Sequence, residues 1–376
     1  MGFPAYAETL PCSNFLLLVL FEIETYHSIL MIVHLCTFLP KHLVISKKSR
    51  TFALNRTRRR FSSVRNVAYQ GGTFFVYMGM RYTKQLLSLQ QQIDVLKQRG
   101  LLVENEEEAK SALDVISYFR LAGYWRLMEA DRLQHIFKPG SRFSQILTLY
   151  RFDEELRILL FSAIQQIEVA VRARMIRIFA EQHGAFWFMD SALAENSNLF
   201  AGNLRNLQEE LSRSEDEYIQ EHFRKYDSPS MPPVWKTMEV ASMGTLSKLY
   251  SNMNDSAAKK AVSRSFGIPK FEYMRSWLRC VTVVRNICAH HGRLWNAVIV
   301  VNPSIPNRLP NTWITNRQLT PDKLYPHLCY IAYWLNAINP TYTFTKDIKA
   351  LLAKYPIIDP AAMGMPRGWL EEPLWQ

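Results

Sequence analysis

The sequence predicts an all-α protein. Apolar residues recur at i, i+3, i+4 and i+7 through most of the chain from Tyr82 onward. Side-chain caps open several of these segments and glycines close them. One periodic stretch, Ser144 to His183, is long enough to organise a bundle by itself.

Taken in order, Ser88 with Gln91 forms a capping box and Gly100 a stop, which predicts a helix over Leu89–Arg99. Asn105 with Glu108 repeats the signature before a helix over Ala109–Phe119. Arg120-Leu-Ala-Gly-Tyr-Trp-Arg126 reads as an aromatic turn closed by Gly123, and Lys138-Pro-Gly140 as a second turn. From Ser144 to His183 the stripe Leu156, Leu159, Leu160, Ile164, Ile167, Val171, Met175 and Ile178 predicts one long helix or two meeting near Asp153, ended by Gly184. Leu204–Tyr226 is a more polar helical segment, and Ser228-Pro-Ser-Met-Pro-Pro233 a loop. Val234–Met253 is amphipathic, and Gly267-Ile-Pro269 breaks the chain. Phe271, Met274, Trp277, Leu278, Val281, Val284 and Cys288 stripe the next helix. Val301–Thr320 is loop, and Pro321–Ile338 and Thr345–Tyr355 close the domain as helices.

Composition narrows the function. With 48% hydrophobic and 21% charged residues, the 376-residue chain is globular. Five scattered cysteines give no disulfide framework, and without a Cys-x-x-Cys pair a structural zinc site is disfavoured. Rossmann and Walker glycine patterns are absent, as is a Gly-x-Ser-x-Gly elbow. The net charge of +12 favours a polyanionic partner, yet residues 1–80 hold nine Lys/Arg against three acids and so carry half of it. Bulk charge is therefore a weak argument for nucleic acid.

Residues 1–79 read differently from the rest. The apolar runs Phe15–Phe21 and Ile29–Leu39 fall short of the roughly 20 residues that span a bilayer. Lys and Arg follow them instead of preceding them, unlike a signal peptide. No helical or strand period persists from Thr51 to Gly79. We read 1–79 as an upstream extension, disordered or lying before a natural start at Met78 or Met80, against the alternative of a basic, membrane-associating arm. Residues 80–376 form the helical domain.

Chemistry concentrates at Arg285-Asn-Ile-Cys-Ala-His-His-Gly-Arg-Leu-Trp-Asn296, at the end of an otherwise apolar helix. Arg285, Asn286, His290 and His291 lie off the apolar stripe, and Asn286 and His290, four apart, share a face. An arginine fork binds phosphate and stabilises the added charge of a phosphoryl transition state. A histidine, with its ordinary pKa of about 6.5, can take a proton from a 2′-hydroxyl or return one to a leaving 5′-oxygen. The competing reading is a helix C-cap, with the imidazoles complementing the dipole beside Gly292.

This block resembles the signature of Abi-like proteins, the abortive-infection proteins of the AbiD/AbiF group in the HEPN superfamily. Further landmarks agree in order: Tyr118-Phe-Arg-Leu-Ala-Gly-Tyr-Trp125, Phe143 through Leu149-Tyr-Arg-Phe-Asp153, Leu156-Arg157, Ile167-Glu168 with Arg172, Pro233-Val-Trp235, Ser276-Trp277, and Met363-Gly-Met-Pro-Arg-Gly-Trp369. The resemblance spans about Tyr82 to Trp369. It implies a HEPN-like helical bundle, its core about 144–340, with additional N-terminal and C-terminal helices. It also implies a metal-independent, cytoplasmic endoribonuclease used as an anti-phage toxin, with no cofactor. Arg285 and His290 match the family's catalytic pair. His291 also satisfies the spacing, and Asn286 and Arg293 are supporting residues. The resemblance implies a composite site in a homodimer, an RNA substrate, an RNA or protein antitoxin, and no membrane association. The alternative is a non-catalytic RNA-binding or regulatory HEPN protein.

The remaining residues have their own expectations. Glu168 and Arg172 are either a helix-stabilising i, i+4 pair or a polar wall of the cleft. Trp295, Tyr124 and Trp125 are expected in the core, Trp295 rather than serving as a stacking platform. Arg293 contacts phosphate or caps a helix, and Cys288 is an inert buried thiol.

Overall fold

The computed structural model describes residues 64–69, 72–77, 83–254 and 256–376. The two N-terminal apolar runs and most of the extension lie outside these residues. The chain divides into two compact units, Met1–Leu86 and Leu87–Gln376, a boundary seven residues beyond the one read from sequence. In the first, strands β1 (Val64–Tyr69) and β2 (Gly72–Tyr77) pair antiparallel with Tyr69 opposite Gly72. The sequence reading assigned no strand there, and the two short runs on either side of Gly71-Gly72 are the hairpin signal it passed over.

The second unit is helical, with a small antiparallel ribbon, β3 (Glu129–Asp131) and β4 (Ile136–Phe137), that the sequence reading did not anticipate. α1 (Leu89–Gln98) starts at the expected capping box, with Ser88 Oγ accepting from the Gln91 amide and Gln91 Oε1 from the Ser88 amide. α2 (Glu106–Ile116) begins directly after Asn105, whose side chain accepts from the Glu107 and Glu108 amides. It stops at Ser117, held at a left-handed φ of 78°, instead of running to Phe119. The expected aromatic turn is a helix, α3 (Tyr118–Trp125). Gly123 is helical, with the Arg293 side chain lying 3.7 Å from where a Cβ would sit.

α4 (Phe143–His183) is one unbroken helix of 41 residues, about 60 Å long. It passes through Asp153 without a junction and ends at Gly184, at φ 82°. Its predicted stripe is buried except for the half-buried Leu159. α4 is the spine of the unit, packed by α3 and by α7 (Val234–Val240), α9 (Ala257–Ser265), α10 (Phe271–Ala289), α11 (Tyr325–Ile338) and α12 (Phe344–Lys354). The polar segment after it is two helices, α5 (Ser197–Arg213) and α6 (Glu217–Lys225). Val234–Met253 is also split, because Ser242 caps a separate α8 (Met243–Asn252). α8 packs on α5 and α10.

α11 is buried from Tyr325 to Leu335 on every face, as expected of a helix apolar all round. Trp277 of α10 locks onto it, stacking on Tyr330 at 5.5 Å and on Trp313 of the preceding loop at 5.8 Å. Its indole N–H donates to the Ser304 carbonyl at 2.8 Å. The first half of α10 is thereby fixed in the core, and its last turn carries the motif. No helix among the described residues is long and apolar enough to cross a membrane.

Candidate active site

α10 ends in a two-bond C-terminal cap. The His291 amide donates to the Cys288 carbonyl at 3.0 Å and the Gly292 amide to Ile287 at 2.7 Å, the paired bonds of a Schellman turn. The left-handed residue such a turn requires is His291, at φ 55°, and not Gly292. Gly292 serves a different need: a Cβ there would lie 3.0 Å from Ile287 Cγ2. His290 is the cap residue, its own amide bonded to the Asn286 carbonyl at 3.0 Å. Helix cap and exposed imidazole thus coexist in one residue.

His290, His291 and Asn286 are exposed and Arg285 is half-buried. The Arg285 guanidinium lies 5.7 Å from the ring centroid of Phe161 on α4, and its Nη1 donates to Asn286 Oδ1 at 3.5 Å. Among the described residues no carboxylate pairs with it. Its fork is therefore supported by a ring face and remains available to an anion.

Below this surface the chain is stitched down residue by residue. Arg120 of α3 donates to the His291 carbonyl at 2.6 Å. Arg157 of α4 reaches the Gly292 carbonyl at 3.5 Å. Arg293 donates to the Gly123 carbonyl at 2.7 Å, capping the last turn of α3 instead of its own helix. The amides of Leu294 and Trp295 both donate to Asp153, at 3.1 and 2.6 Å.

Asp153 is fully buried and also accepts from Arg157 at 2.6 Å and from the Tyr124 hydroxyl at 2.7 Å. Burial pushes its carboxyl upward, against the lowering pull of Tyr124, the Trp295 amide and Arg157. Tyr124 is pushed up as well, by burial and by the adjacent carboxylate. A buried polar pair on an otherwise apolar stripe, at i and i+4, was the available sequence signal. The sequence reading quoted Asp153 and Arg157 as landmarks without giving them this task, and it gave Arg120 none.

The other expectations resolve individually. Trp295 is buried, as are Tyr124 and Trp125. Cys288 is buried, and burial pushes its thiol up to about 12, where it is unreactive. Glu168 and Arg172 bond each other at 3.0 Å, and Arg172 also donates to the Ala241 carbonyl at 3.0 Å, joining α4 to the end of α7. Among the described residues no group of three or more His, Cys, Asp or Glu side chains is arranged to hold a metal ion. A cavity of 360 Å³ beside α5 and α6, lined by Gln208, Leu211, Phe223 and Met231 among others, includes no motif residue.

No curated protein and no solved structure matches this chain. The family model described as Abi-like protein matches residues 111–296, from within α2 to the last residue of the motif, and it supports placing this chain with the Abi-like family.

Proposed function

We propose that this protein is an abortive-infection endoribonuclease that cleaves RNA without a metal ion. The observation that carries the reading is a pair at the end of α10: half-buried Arg285 with no carboxylate partner among the described residues, and His290 exposed five residues on, above a backbone held by Asp153. Arg285 would bind the scissile phosphate through its fork and stabilise the charge gained in the transition state. An imidazole would take the 2′-hydroxyl proton as that oxygen attacks phosphorus. The bond to the 5′-oxygen breaks, and an imidazolium protonates the leaving group. The products are a 2′,3′-cyclic phosphate and a 5′-hydroxyl. Two histidines share the work most simply if two copies of the chain bring their α10 ends together, an isologous arrangement. His290 is the preferred carrier, since the left-handed backbone at His291 gives that position a conformational task of its own. The likeness to the Abi-like family supports a role in phage defence.

A second reading draws on the helix cap. If His290 and His291 only terminate α10, Arg285 would hold phosphate in a non-catalytic RNA-binding module. Incubating the protein with total RNA in EDTA separates the two. Cleavage by the parent protein that disappears in His290→Ala supports the nuclease; RNA bound but intact supports the module.

A further inference from the structure

Two side chains from other helices touch the motif and stay open to solvent. Arg120, in the first turn of α3, is exposed and spends one donor of its fork on the His291 carbonyl at 2.6 Å. A guanidinium has five N–H donors, so most of the fork is unspent. No carboxylate pairs with Arg120 among the described residues. Beside it, Phe119 is 85% exposed. Phe161 of α4 is 40% exposed and lies under the Arg285 guanidinium. Ile158, one turn earlier on the same face, is 65% exposed.

Single exposed apolar residues are ordinary on a protein surface. Phe161 differs in lying in direct contact with the motif's Arg285, a cation with no carboxylate partner among the described residues. Ring faces beside guanidinium forks are what a nucleotide strand requires, base against ring and phosphate against fork. A base within a duplex has both faces covered by its neighbours, so such a ring can stack only an unpaired base.

We infer that Arg120 and Phe161 form two nucleotide subsites on either side of the Arg285–His290 centre, both occupied by one unpaired RNA strand. Arg120 grips the phosphate next to the scissile one on the α3 side. Phe161 stacks a base on the α4 side and holds Arg285 in place from below. Glu154, exposed on α4 one turn before Ile158, bounds the platform with negative charge and keeps the phosphates on the cationic flank. The inference rests on the RNA reading above, and it adds where the strand runs and why it must be unpaired.

The test uses the full chain and a short, labelled 2′-O-methyl RNA of mixed sequence, which cannot undergo 2′-hydroxyl attack. Fluorescence anisotropy across a salt series is compared with the same sequence as a duplex. The single strand should bind more tightly. Phe161→Ala should weaken that binding by about 5- to 150-fold, the usual range for loss of one stacking platform, while Phe161→Trp retains it. Arg120→Ala should lower the slope of log K against log salt by about 0.7, and Arg120→Lys should restore it. Equal affinity for single strand and duplex overturns the proposal. So does parental binding in both Phe161→Ala and Arg120→Ala. A loss of affinity that sedimentation traces to a broken dimer also overturns it, assigning Phe161 to a contact between copies. Failure of the nuclease reading looks different: unmodified RNA stays intact while the binding pattern of the variants persists.

Discussion

Asp153 and Trp295 lie 142 residues apart in sequence and 2.6 Å apart in space, the carboxylate accepting from the backbone amide. The contact joins the third turn of the longest helix to the tail of the motif. It holds main chain, so the segment leaving the turn at His290 and His291 is anchored at Leu294 and Trp295 independently of the two imidazoles. The same carboxylate balances Arg157 and orients Tyr124. One buried acid thereby connects α3, α4 and the motif, alongside the bonds of Arg120, Arg157 and Arg293 to main-chain carbonyls.

Asp153→Ala should be among the most damaging single substitutions in the domain. It leaves Arg157 buried without its partner and two amides without their acceptor, a loss of about 3–5 kcal/mol. Asp153→Asn, which keeps one acceptor oxygen, should lose less. Replacing Asp153 and Arg157 together with Leu and Met should recover part of the loss, since apolar residues of similar size remove the unpaired charge. Urea unfolding of the four proteins checks this. An Asp153→Ala midpoint within error of the parent would show that the cluster contributes nothing.

His291 can be separated from His290 by backbone preference. Glycine adopts a positive φ without steric cost, whereas a β-branched residue is the least tolerant of it. His291→Gly should leave stability within about 0.5 kcal/mol of the parent and retain RNA cleavage, while His291→Val should lose about 1–2 kcal/mol. Thermal melts and a cleavage assay on both proteins decide it. Loss of cleavage in a stable His291→Gly would make His291 the proton carrier instead.

How much of this was legible in the sequence depends on range. The α10 stripe from Met274 to Cys288 and the cap at Ser88 are local patterns, and they read correctly. Placing the motif at the end of α10 followed from the same stripe. Ser117 broke α2 from α3 without warning, because serine carries no sign that its φ will be 78°. Gly123 reads as closing a turn, yet it lies inside α3 with the Arg293 side chain at ordinary contact distance from its Cβ position. The contacts of Asp153 with Leu294 and Trp295 span some 140 residues, and no periodicity carries information over that distance. The exposure of Phe161 and Arg120 beside the motif is equally a product of packing, not of spacing.

His290→Ala should reduce RNA cleavage by about 10²- to 10⁴-fold, the usual contribution of a positioned acid or base. Stability should fall by no more than about 1 kcal/mol, because the exposed ring contributes to the helix end chiefly through the dipole. Arg285→Lys should be comparably severe in activity, since an ammonium keeps the charge and loses the fork. Cleavage by the parent should survive EDTA and leave 2′,3′-cyclic phosphate ends, detectable by mass spectrometry. Products ending in 3′-hydroxyl and 5′-phosphate would exclude 2′-hydroxyl attack.

The last prediction concerns acid stability and His327. This side chain sits in the first turn of α11, fully buried, with Nδ1 3.3 Å from the Tyr330 hydroxyl and Nε2 without a partner among the described residues. Burial lowers its pKa from 6.5 to about 4, because an imidazolium there would be stripped of water. Between those two values the unfolded chain binds a proton that the folded chain refuses. The unfolded state therefore holds more protons in this window, and stability rises with pH across it. His327 has no effect above pH 6.5, weakens the fold as pH falls below 6.5, and exerts its full penalty near pH 4, where the loss is on the order of 3 kcal/mol. His327→Leu, similar in volume and unable to titrate, should remove that part of the slope. Denaturant unfolding of both proteins from pH 7.5 down to 4 should show the variant's stability relative to the parent improving steadily below pH 6.5 and constant above it. Parallel pH profiles for the two proteins would mean that His327 takes up its proton in the folded state as readily as in water, which the closed packing of α11 does not allow.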